Sequence, residues 1–187
     1  MIRTLIVVDV QVDFCEGGSL AVTGGNATAE RIAGLLAGEH GYDTVVATRD
    51  WHIEPGRHVC EQPDFVTSWP VHCVAETPGA AFHPALSEAP YHAVFSKGQY
   101  DDGYSGFDGV DGRLRPLSAY LRGLDVTDVD VAGIATDHCV RATALDAAHL
   151  GWRVRVLSGY VAGVSEATTA AALEDLRAAG ATLVDGP

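Results

Sequence analysis

Short apolar, β-rich runs alternate along this chain with segments of helical periodicity, and that alternation limits the fold more than any other feature. The first run, Leu5 to Val10, is almost continuously apolar, as in a strand that is covered on both faces. Strands are predicted at Leu5–Val10, Thr44–Thr48, Ala93–Ser96, Val129–Ile134, Arg153–Leu157 and Ala181–Val184. Helices are predicted at Asn26–Leu36, Pro116–Gly123, Cys139–His149 and Glu166–Ala179, with Asn26 and Ser165 as N-caps.

The order of these elements predicts an α/β fold: a three-layer α/β/α arrangement around a mostly parallel sheet of roughly six strands. The 187 residues suit a single domain spanning 1–187. One long segment, from about Asp50 to Glu88, has little periodicity and is rich in proline, histidine and aromatic residues. Loops of this length are usually functional or disordered, and the aromatic and cysteine content favours an ordered, functional loop.

Charge and hydropathy exclude several partners. The formal net charge of −13 would repel nucleic acid and anionic membranes, so neither is predicted as a partner. No apolar run approaches the roughly 18 residues that span a bilayer. The apolar N-terminal run meets Asp9 too soon for a signal peptide, which predicts a cytoplasmic protein. Its four cysteines are then expected to be free thiols: Cys15, Cys60, Cys73 and Cys139.

Chemically capable side chains follow four of the predicted strands. Asp9, Asp50 and Lys97 end or follow the first three strands, and Cys139 follows the fourth. Ligands of parallel α/β sheets bind in the crevice at the carboxyl ends of the strands. We therefore expect these four side chains to lie close together.

Cys139 opens a predicted helix, where the helix dipole and free N–H groups favour a thiolate. Asp9 can serve as a general base for that thiol, and Lys97 as a cation that holds Asp9. Together they would form a variant of the nucleophile, base and orienting group of hydrolase triads. The structural alternatives are a buried cysteine in the core, a capping aspartate and a solvated lysine.

The spacing Asp50-x-His52-x5-His58, with His72 further along, indicates a metal site in the long loop. Imidazole and carboxylate donors suit zinc, iron or manganese. The chain holds five other histidines, so scattered surface histidines remain an alternative. Cys60 and Cys73 lie in the same loop and could compete as ligands.

Three aromatic residues in irregular segments, Phe14, Trp69 and Tyr104, would suit the walls of a pocket for a flat ring, although simple packing also explains aromatics. The glycines make neither a dinucleotide fingerprint nor a phosphate-binding loop, so no nucleotide cofactor and no Rossmann oxidoreductase is predicted. The absence of G-x-S-x-G removes support for a serine hydrolase.

In order along the chain, several motifs resemble the nicotinamidase/pyrazinamidase branch of the isochorismatase-like hydrolases over essentially the whole length. The matching motifs are Val8 to Leu20, Thr48 to His52, Ser68 to Cys73, Phe95 to Gly98, Tyr104 to Phe107 and Gly133 to Val140. The resemblance implies the isochorismatase-like hydrolase fold.

The resemblance also implies roles for individual residues. Cys139 would be the nucleophile, with Asp9 and Lys97 completing the triad. A cis peptide would join Ile134 to Ala135, and the N–H groups of Ala135 and Cys139 would form an oxyanion hole. One divalent ion of iron, manganese or zinc would bind to Asp50, His52, His58 and His72. The substrate would contact Phe14, Trp69, Tyr104 and His138.

The implied reaction is hydrolysis of a small amide, nicotinamide and also pyrazinamide, to the acid and ammonia through a cysteine thioester, within NAD salvage. A related amidohydrolase of carbamoyl or ureido substrates is one alternative, although such enzymes generally lack this histidine loop. A true isochorismatase does not use the cysteine. A non-catalytic metal-binding or partner-binding protein would not need the triad. The sequence leaves open whether the chain is a monomer or a homo-oligomer.

Overall fold

The computed structural model describes all residues, 1–187, and contains six strands and four α-helices. The strands are β1 (Ile2–Val8), β2 (Thr44–Asp50), β3 (Ala93–Lys97), β4 (Val126–Ile134), β5 (Arg153–Ala162) and β6 (Thr182–Val184). The helices are α1 (Gly25–Ala37), α2 (Leu117–Gly123), α3 (Arg141–His149) and α4 (Glu166–Ala178). All predicted elements are present, although several boundaries differ.

The six strands form one sheet in the order β3-β2-β1-β4-β5-β6, and every neighbouring pair is parallel. The chain winds outward from β1 to β3 and then returns to place β4 on the other side of β1. The strand order therefore reverses between β1 and β4. In sheets of this kind the ligand crevice lies at that switch point, beyond the carboxyl ends of the strands.

Both faces of the sheet are buried, as the apolar runs predict. In β1, Leu5 and Val7 belong to one hydrophobic cluster, and Ile6 and Val8 belong to the other. Helix α1 packs on the first face, while α2, α3 and α4 contribute to the cluster on the second face. The expected three-layer α/β/α architecture with a six-stranded parallel sheet is confirmed.

Two helix starts show how capping partners alter a boundary. Helix α1 begins after Gly24 and not after the expected cap Asn26, because the Glu16 carboxylate accepts the N–H groups of Gly24 and Asn26 at 2.6 and 2.7 Å. A distant carboxylate thus takes the place of a local cap. The other expected cap is confirmed: the Ser165 hydroxyl accepts the N–H of Thr168 at 3.2 Å at the start of α4.

The predicted helix from Cys139 to His149 was wrong at its beginning. A π-helical turn, Thr136–Val140, precedes α3, so Cys139 lies inside that turn. The cause is the Ala135 carbonyl, which accepts the N–H groups of both His138 and Val140 at 3.1 and 3.0 Å and widens the first turn. Such turns are rare and occur frequently at functional sites.

The long segment from Asp50 to Glu88 is ordered, as its composition predicts. It contains no α-helix, only three short 3-10 turns, and it packs on the α1 face of the sheet. Cys73, Ala80 and Leu86 are fully buried there. No helix of the protein combines the length and apolar character needed to cross a membrane.

The close approach of β4 to β1 depends on Gly133. Its φ is +126°, and a Cβ there would lie 2.1 Å from the Val8 carbonyl oxygen. We expect Gly133→Ala to lower the free energy of unfolding by more than about 2 kcal/mol, because a rigid backbone must move. The measurement is urea unfolding followed by circular dichroism.

A matched control for this substitution is Gly34→Ala, within α1. A Cβ at Gly34 meets no atom within 4 Å, and the residue is solvent-exposed. Alanine is the better helix former, so the control is expected to stabilise the protein by about 0.5–1 kcal/mol. Equal effects of the two substitutions would contradict the importance of the β1–β4 contact.

Candidate active site

A cavity of about 260 Å³ opens at the carboxyl ends of β1 and β4, at the switch point of the sheet. Most of its wall is apolar, and one side carries carboxylate, imidazole and thiol groups. The lining residues are Phe14, Leu20, Ala21, Val22, Asp50, His58, Phe65, Trp69, His72, Tyr104, Ala135, His138, Cys139 and Val164. Asp9, His52 and Lys97 are buried and contact this lining from behind.

The three residues expected to act on an amide are brought together. The Lys97 ammonium lies 2.8 Å from Oδ2 of Asp9 and 3.6 Å from Sγ of Cys139. A carboxylate oxygen of Asp9 lies within 4.8 Å of the same sulfur. Each residue comes from a different strand end, namely β1, β3 and the turn after β4. The arrangement places a base and a cation beside a single buried thiol.

The same ammonium also contacts Asp50, with 2.6 Å between Nζ and Oδ1. Asp50 and Lys97 are direct partners in the register of β2 and β3, which puts them side by side. Oxygens of Asp9 and Asp50 and the sulfur of Cys139 lie close enough together to resemble a metal site. The Lys97 ammonium already supplies the cation at their centre, so we assign no metal there.

Burial and charge act in opposite directions on these groups. Burial raises the pKa of Asp9, and the Lys97 ammonium only partly offsets it. For Asp50, burial is outweighed by Lys97 and His52, and the pKa lies below its ordinary value. Burial disfavours the Lys97 ammonium, but the two carboxylates outweigh it and hold its pKa well above the ordinary value. Asp9 is therefore the more basic of the two carboxylates.

The expectation of a Cys139 thiolate stabilised by a helix terminus was wrong. Burial raises the pKa of Cys139 well above its ordinary value, and Lys97 offsets this only in part. The sulfur sits within the π-helical turn and not at the N-terminus of an α-helix. Burial therefore favours the neutral thiol, and a nearby base is needed to remove its proton.

Three histidines converge beside Asp50, although the loop that carries them has no regular structure. Donor atoms of His52, His58 and His72 lie within 4.8 Å of one another, and all three side chains are buried. Oδ2 of Asp50 lies 3.8 Å from Nε2 of His52. Neither Cys60 nor Cys73 belongs to this group of donors. The pKa of His58 is lowered to about 4, mainly by burial and further by the neighbouring imidazoles of His52 and His72.

The hydrogen bonds of these imidazoles fix where their lone pairs point. Nδ1 of His52 donates to the Gly98 carbonyl at 2.6 Å, and Nδ1 of His72 donates to the Pro70 carbonyl at 2.7 Å. A carbonyl only accepts, so in the neutral rings both Nε2 atoms carry lone pairs. These atoms face each other at 3.3 Å. Buried Nδ1 of His58 has no partner at all. A donor set of this kind fits a divalent cation.

Aromatic rings form the wall on the other side of the cavity. The Trp69 indole N–H donates to the Tyr104 hydroxyl at 2.9 Å, which locks the two rings together. His138 stands edge-on to Trp69, with 5.1 Å between ring centroids. Phe14 packs against His72 at 5.4 Å. All four residues expected at the pocket wall line the cavity.

Ala135 and Cys139, the expected oxyanion-hole residues, both line the cavity. The peptide bond between Ile134 and Ala135 is cis, as the resemblance implies. Asp137, two residues before the cysteine, accepts the N–H of Val164 at 3.0 Å. This bond ties the turn that carries Cys139 to the pocket rim.

Several supporting residues were not identified from the sequence. Gln11 is fully buried and clamps the backbone of Asp50: its Nε2 donates to the Asp50 carbonyl and its Oε1 accepts the Asp50 N–H, both at 2.8 Å. The Thr48 hydroxyl donates to Oδ1 of Asp9 at 2.6 Å. For Thr48, a polar residue within an apolar strand was the available signal; Gln11 lies beyond the end of β1. Leu20, Phe65 and Val164 at the cavity wall gave no such signal.

A buried thiol lies beside a carboxylate and an ammonium at the switch point of a parallel α/β sheet, an arrangement suited to nucleophilic catalysis. Together with the family and relatives described next, it identifies the protein as an enzyme of the hydrolase class. The model of the Isochorismatase domain family matches residues 3–186. The chain therefore belongs to the isochorismatase family.

Relatives with established names cover nearly the whole chain. It is 57% identical to a nicotinamidase/pyrazinamidase of Mycobacterium tuberculosis, over 97% of this chain and 98% of that protein. It is 37% identical to a nicotinamidase of Escherichia coli, over 97% of this chain and 93% of that protein.

Solved structures show the same similarity. One is PnC1 from L. infantum in complex with nicotinate, with a TM-score of 0.84 and 35% identity over 98% of this chain and 92% of the other. Another is the pyrazinamidase of Pyrococcus horikoshii in complex with zinc, with a TM-score of 0.81 and 38% identity over 98% of this chain and 99% of the other.

Replacing Lys97 tests the charge balance of the site. Lys97→Met leaves the buried carboxylates of Asp9 and Asp50 without their cation, so we expect the free energy of unfolding to fall by about 3–5 kcal/mol. Adding Asp9→Asn removes one of the two charges and is expected to recover part of that loss. Urea unfolding of the single and double variants gives both values.

The control is Arg177→Met, which removes a cation from a solvent-exposed pair with Glu174 and is expected to change stability little. A double variant no more stable than Lys97→Met alone would show that Asp9 does not depend on the ammonium.

Proposed function

We propose that this chain is a nicotinamidase, which hydrolyses nicotinamide to nicotinic acid and ammonia and accepts pyrazinamide as a second substrate. The single observation that carries the proposal is the opening of the Cys139, Asp9 and Lys97 cluster into a small, flat-walled cavity beside three convergent histidines. Through this reaction the protein would take part in NAD salvage.

Similarity to named proteins supports the substrate. Relatives over nearly the full length are a nicotinamidase/pyrazinamidase and a nicotinamidase. A solved structure of the same fold is in complex with nicotinate, the product of the proposed reaction. The yeast nicotinamidase, with a TM-score of 0.82 and 29% identity, is bound to the inhibitor nicotinaldehyde.

The cavity suits a small neutral heteroaromatic amide. Its volume of about 260 Å³ is below the range of about 300–1,000 Å³ that is usual for drug-sized ligands, which fits a small substrate. Phe14, Trp69 and Tyr104 offer flat surfaces for an aromatic ring. No arginine and no solvent-exposed lysine lines the cavity, so a charged phosphate on the substrate would find no partner.

In the proposed mechanism Asp9 removes the proton from Cys139, and the sulfur attacks the carboxamide carbon. The N–H groups of Ala135 and Cys139 would stabilise the oxyanion, at about 3 kcal/mol for each donor. Asp9 then gives its proton to the departing ammonia, which leaves a thioester. Water attacks the thioester, Asp9 takes a proton from that water, and the acid is released as the thiol forms again. Lys97 holds Asp9 beside the sulfur throughout.

Asp50, His52, His58 and His72 would hold one divalent ion, and we propose iron, manganese or zinc. The orphaned Nδ1 of His58 and the facing Nε2 atoms support a cation at this place. A bound ion would supply a Lewis acid next to the cavity, where it can orient a ring nitrogen of the substrate. A solved relative is a pyrazinamidase in complex with zinc, which is consistent with such a site.

Cys139→Ala tests the reaction and the nucleophile together. We expect the parent protein to release ammonia from nicotinamide and the variant to lose at least about a thousandfold in kcat, because no other group can form the thioester. The measurement is a coupled assay of ammonia.

The matched control is Cys60→Ala, which removes a partly exposed thiol outside the cavity and should retain parent activity. An inactive parent would refute nicotinamide as substrate, and ureido and carbamoyl compounds would then be assayed. An active Cys139→Ala variant would refute the covalent route.

His58→Ala tests the metal site without touching the partners of Lys97. Removal of a direct ligand is expected to weaken binding by more than about a hundredfold, beyond the usual effect of outer-shell changes. Elemental analysis after dialysis gives the metal content. His149→Ala, at an exposed position, is the control and should keep the parent's content. Full metal content in His58→Ala would remove His58 from the ligand set.

A further inference from the structure

The carboxylate of Asp9 has two oxygens with different partners. Oδ2 faces the Lys97 ammonium at 2.8 Å, and the same ammonium lies 3.6 Å from Sγ of Cys139. Oδ1 accepts a hydrogen bond from the Thr48 hydroxyl at 2.6 Å. Asp9, Thr48 and Lys97 are all fully buried. The hydroxyl therefore takes up one oxygen and leaves the other for the reacting thiol.

Thr48 is held from two sides. On the sheet, it is the register partner of Val8 in β1, and its carbonyl accepts the N–H of Asp9 at 3.2 Å. On the other side, Gly106 packs against its methyl group so closely that a Cβ there would lie 2.7 Å from Cγ2. The N–H of Gly106 donates to Thr143 in α3 at 2.8 Å, which fixes the glycine in turn. The hydroxyl has little freedom to turn away from Asp9.

An aspartate needs such a partner to act as a directed base. Rotation of a carboxylate about its last side-chain bond is broad and has no sharp preferred angle. A single strong donor on one oxygen removes that freedom and sets the plane in which the other oxygen lies. Misplacement of a catalytic group by even 1 Å costs about a hundredfold in rate.

We propose that the Thr48 hydroxyl is a positioning residue that fixes the carboxylate plane of Asp9 and so presents Oδ2 to the Cys139 thiol. This inference rests on the proposed function for the choice of nicotinamide as substrate. The part that concerns the reactivity of Cys139 does not depend on that substrate. Thr48 does not touch the cavity, and it acts only through Asp9.

The sheet itself provides a matched control. Thr4 in β1 is also fully buried, and its hydroxyl has no hydrogen-bond partner. Replacing Thr4 by valine removes a hydroxyl that positions nothing. The strand at Thr4 forms without any hydrogen bond from the threonine hydroxyl. The two positions differ in that the Thr48 hydroxyl contacts Asp9.

The experiment compares Thr48→Val, Thr48→Ser and Thr48→Ala with Thr4→Val and the parent, in steady-state hydrolysis of nicotinamide. Thr48→Val and Thr48→Ala are expected to lose about 10- to 100-fold in kcat with KM changed less than about twofold, since base catalysis is impaired and binding is not. Thr48→Ser keeps the hydroxyl and should stay within about threefold of the parent. Thr4→Val should match the parent.

The serine and alanine variants differ only in the hydroxyl, so they decide the question even if Thr48→Val does not fold. Equal losses in Thr48→Ser and Thr48→Ala would assign the effect to the methyl group and overturn the proposal. Unchanged kcat in Thr48→Ala, or a rise in KM alone, would overturn it as well. Metal content should be the same in all variants, because the partners of the histidines are untouched.

A second readout does not depend on nicotinamide. The rate at which iodoacetamide alkylates Cys139, followed by mass spectrometry of its peptide, should fall about tenfold or more in Thr48→Ala and recover in Thr48→Ser. Equal rates in the two variants would overturn the positioning role. A parent that is inactive on nicotinamide but shows this difference would refute the proposed substrate and retain the role of Thr48.

Discussion

The buried ammonium of Lys97 is the interaction on which the rest of the site depends. It lies within 2.8 Å of Asp9 and 2.6 Å of Asp50; Asp9 and Lys97 are fully buried, and Asp50 is exposed only at the cavity wall. Removing one charged partner from such a group leaves the others uncompensated, at a cost of about 3–5 kcal/mol. The three residues come from the ends of adjacent parallel strands. The order and register of β1, β2 and β3 are therefore fixed by electrostatics as well as by apolar packing.

The residue after this lysine connects the two halves of the site. Gly98 has a φ of +67°, and its carbonyl accepts a hydrogen bond from Nδ1 of His52 at 2.6 Å. A Cβ at this position would lie 2.8 Å from that ring, so only glycine permits the contact without strain or displacement. The backbone thus orients His52 toward the other imidazoles immediately beside the ammonium. The triad and the histidine cluster are therefore both held by the backbone at Lys97 and Gly98. A change of charge in one group alters the electrostatic potential at the other.

Much of the fold was predictable because apolar periodicity reports local burial. The sequence predicted the central strands and the helices in the right order. Because sites in parallel sheets lie at the carboxyl ends of the strands, it also predicted correctly that Asp9, Asp50, Lys97 and Cys139 lie close together. The expected thiolate was wrong because a position near a helix start says nothing about desolvation, which dominates at a fully enclosed sulfur. The start of α1 was wrong because its capping carboxylate, Glu16, lies outside the helix pattern.

The sequence by itself determined the fold class, the family and the set of chemically capable residues, since these are encoded in periodicity and in contiguous motifs. Tertiary structure alone decided how those residues are paired. Thr48 contacts Asp9 across 39 positions, Lys97 contacts Asp50 across 47, and His52 meets His72 from within an irregular loop. Such pairings depend on strand order, register and loop packing, none of which leaves a local periodic signal. The partners of the two Asp9 oxygens, and the facing Nε2 atoms of His52 and His72, are set only once the sheet has formed.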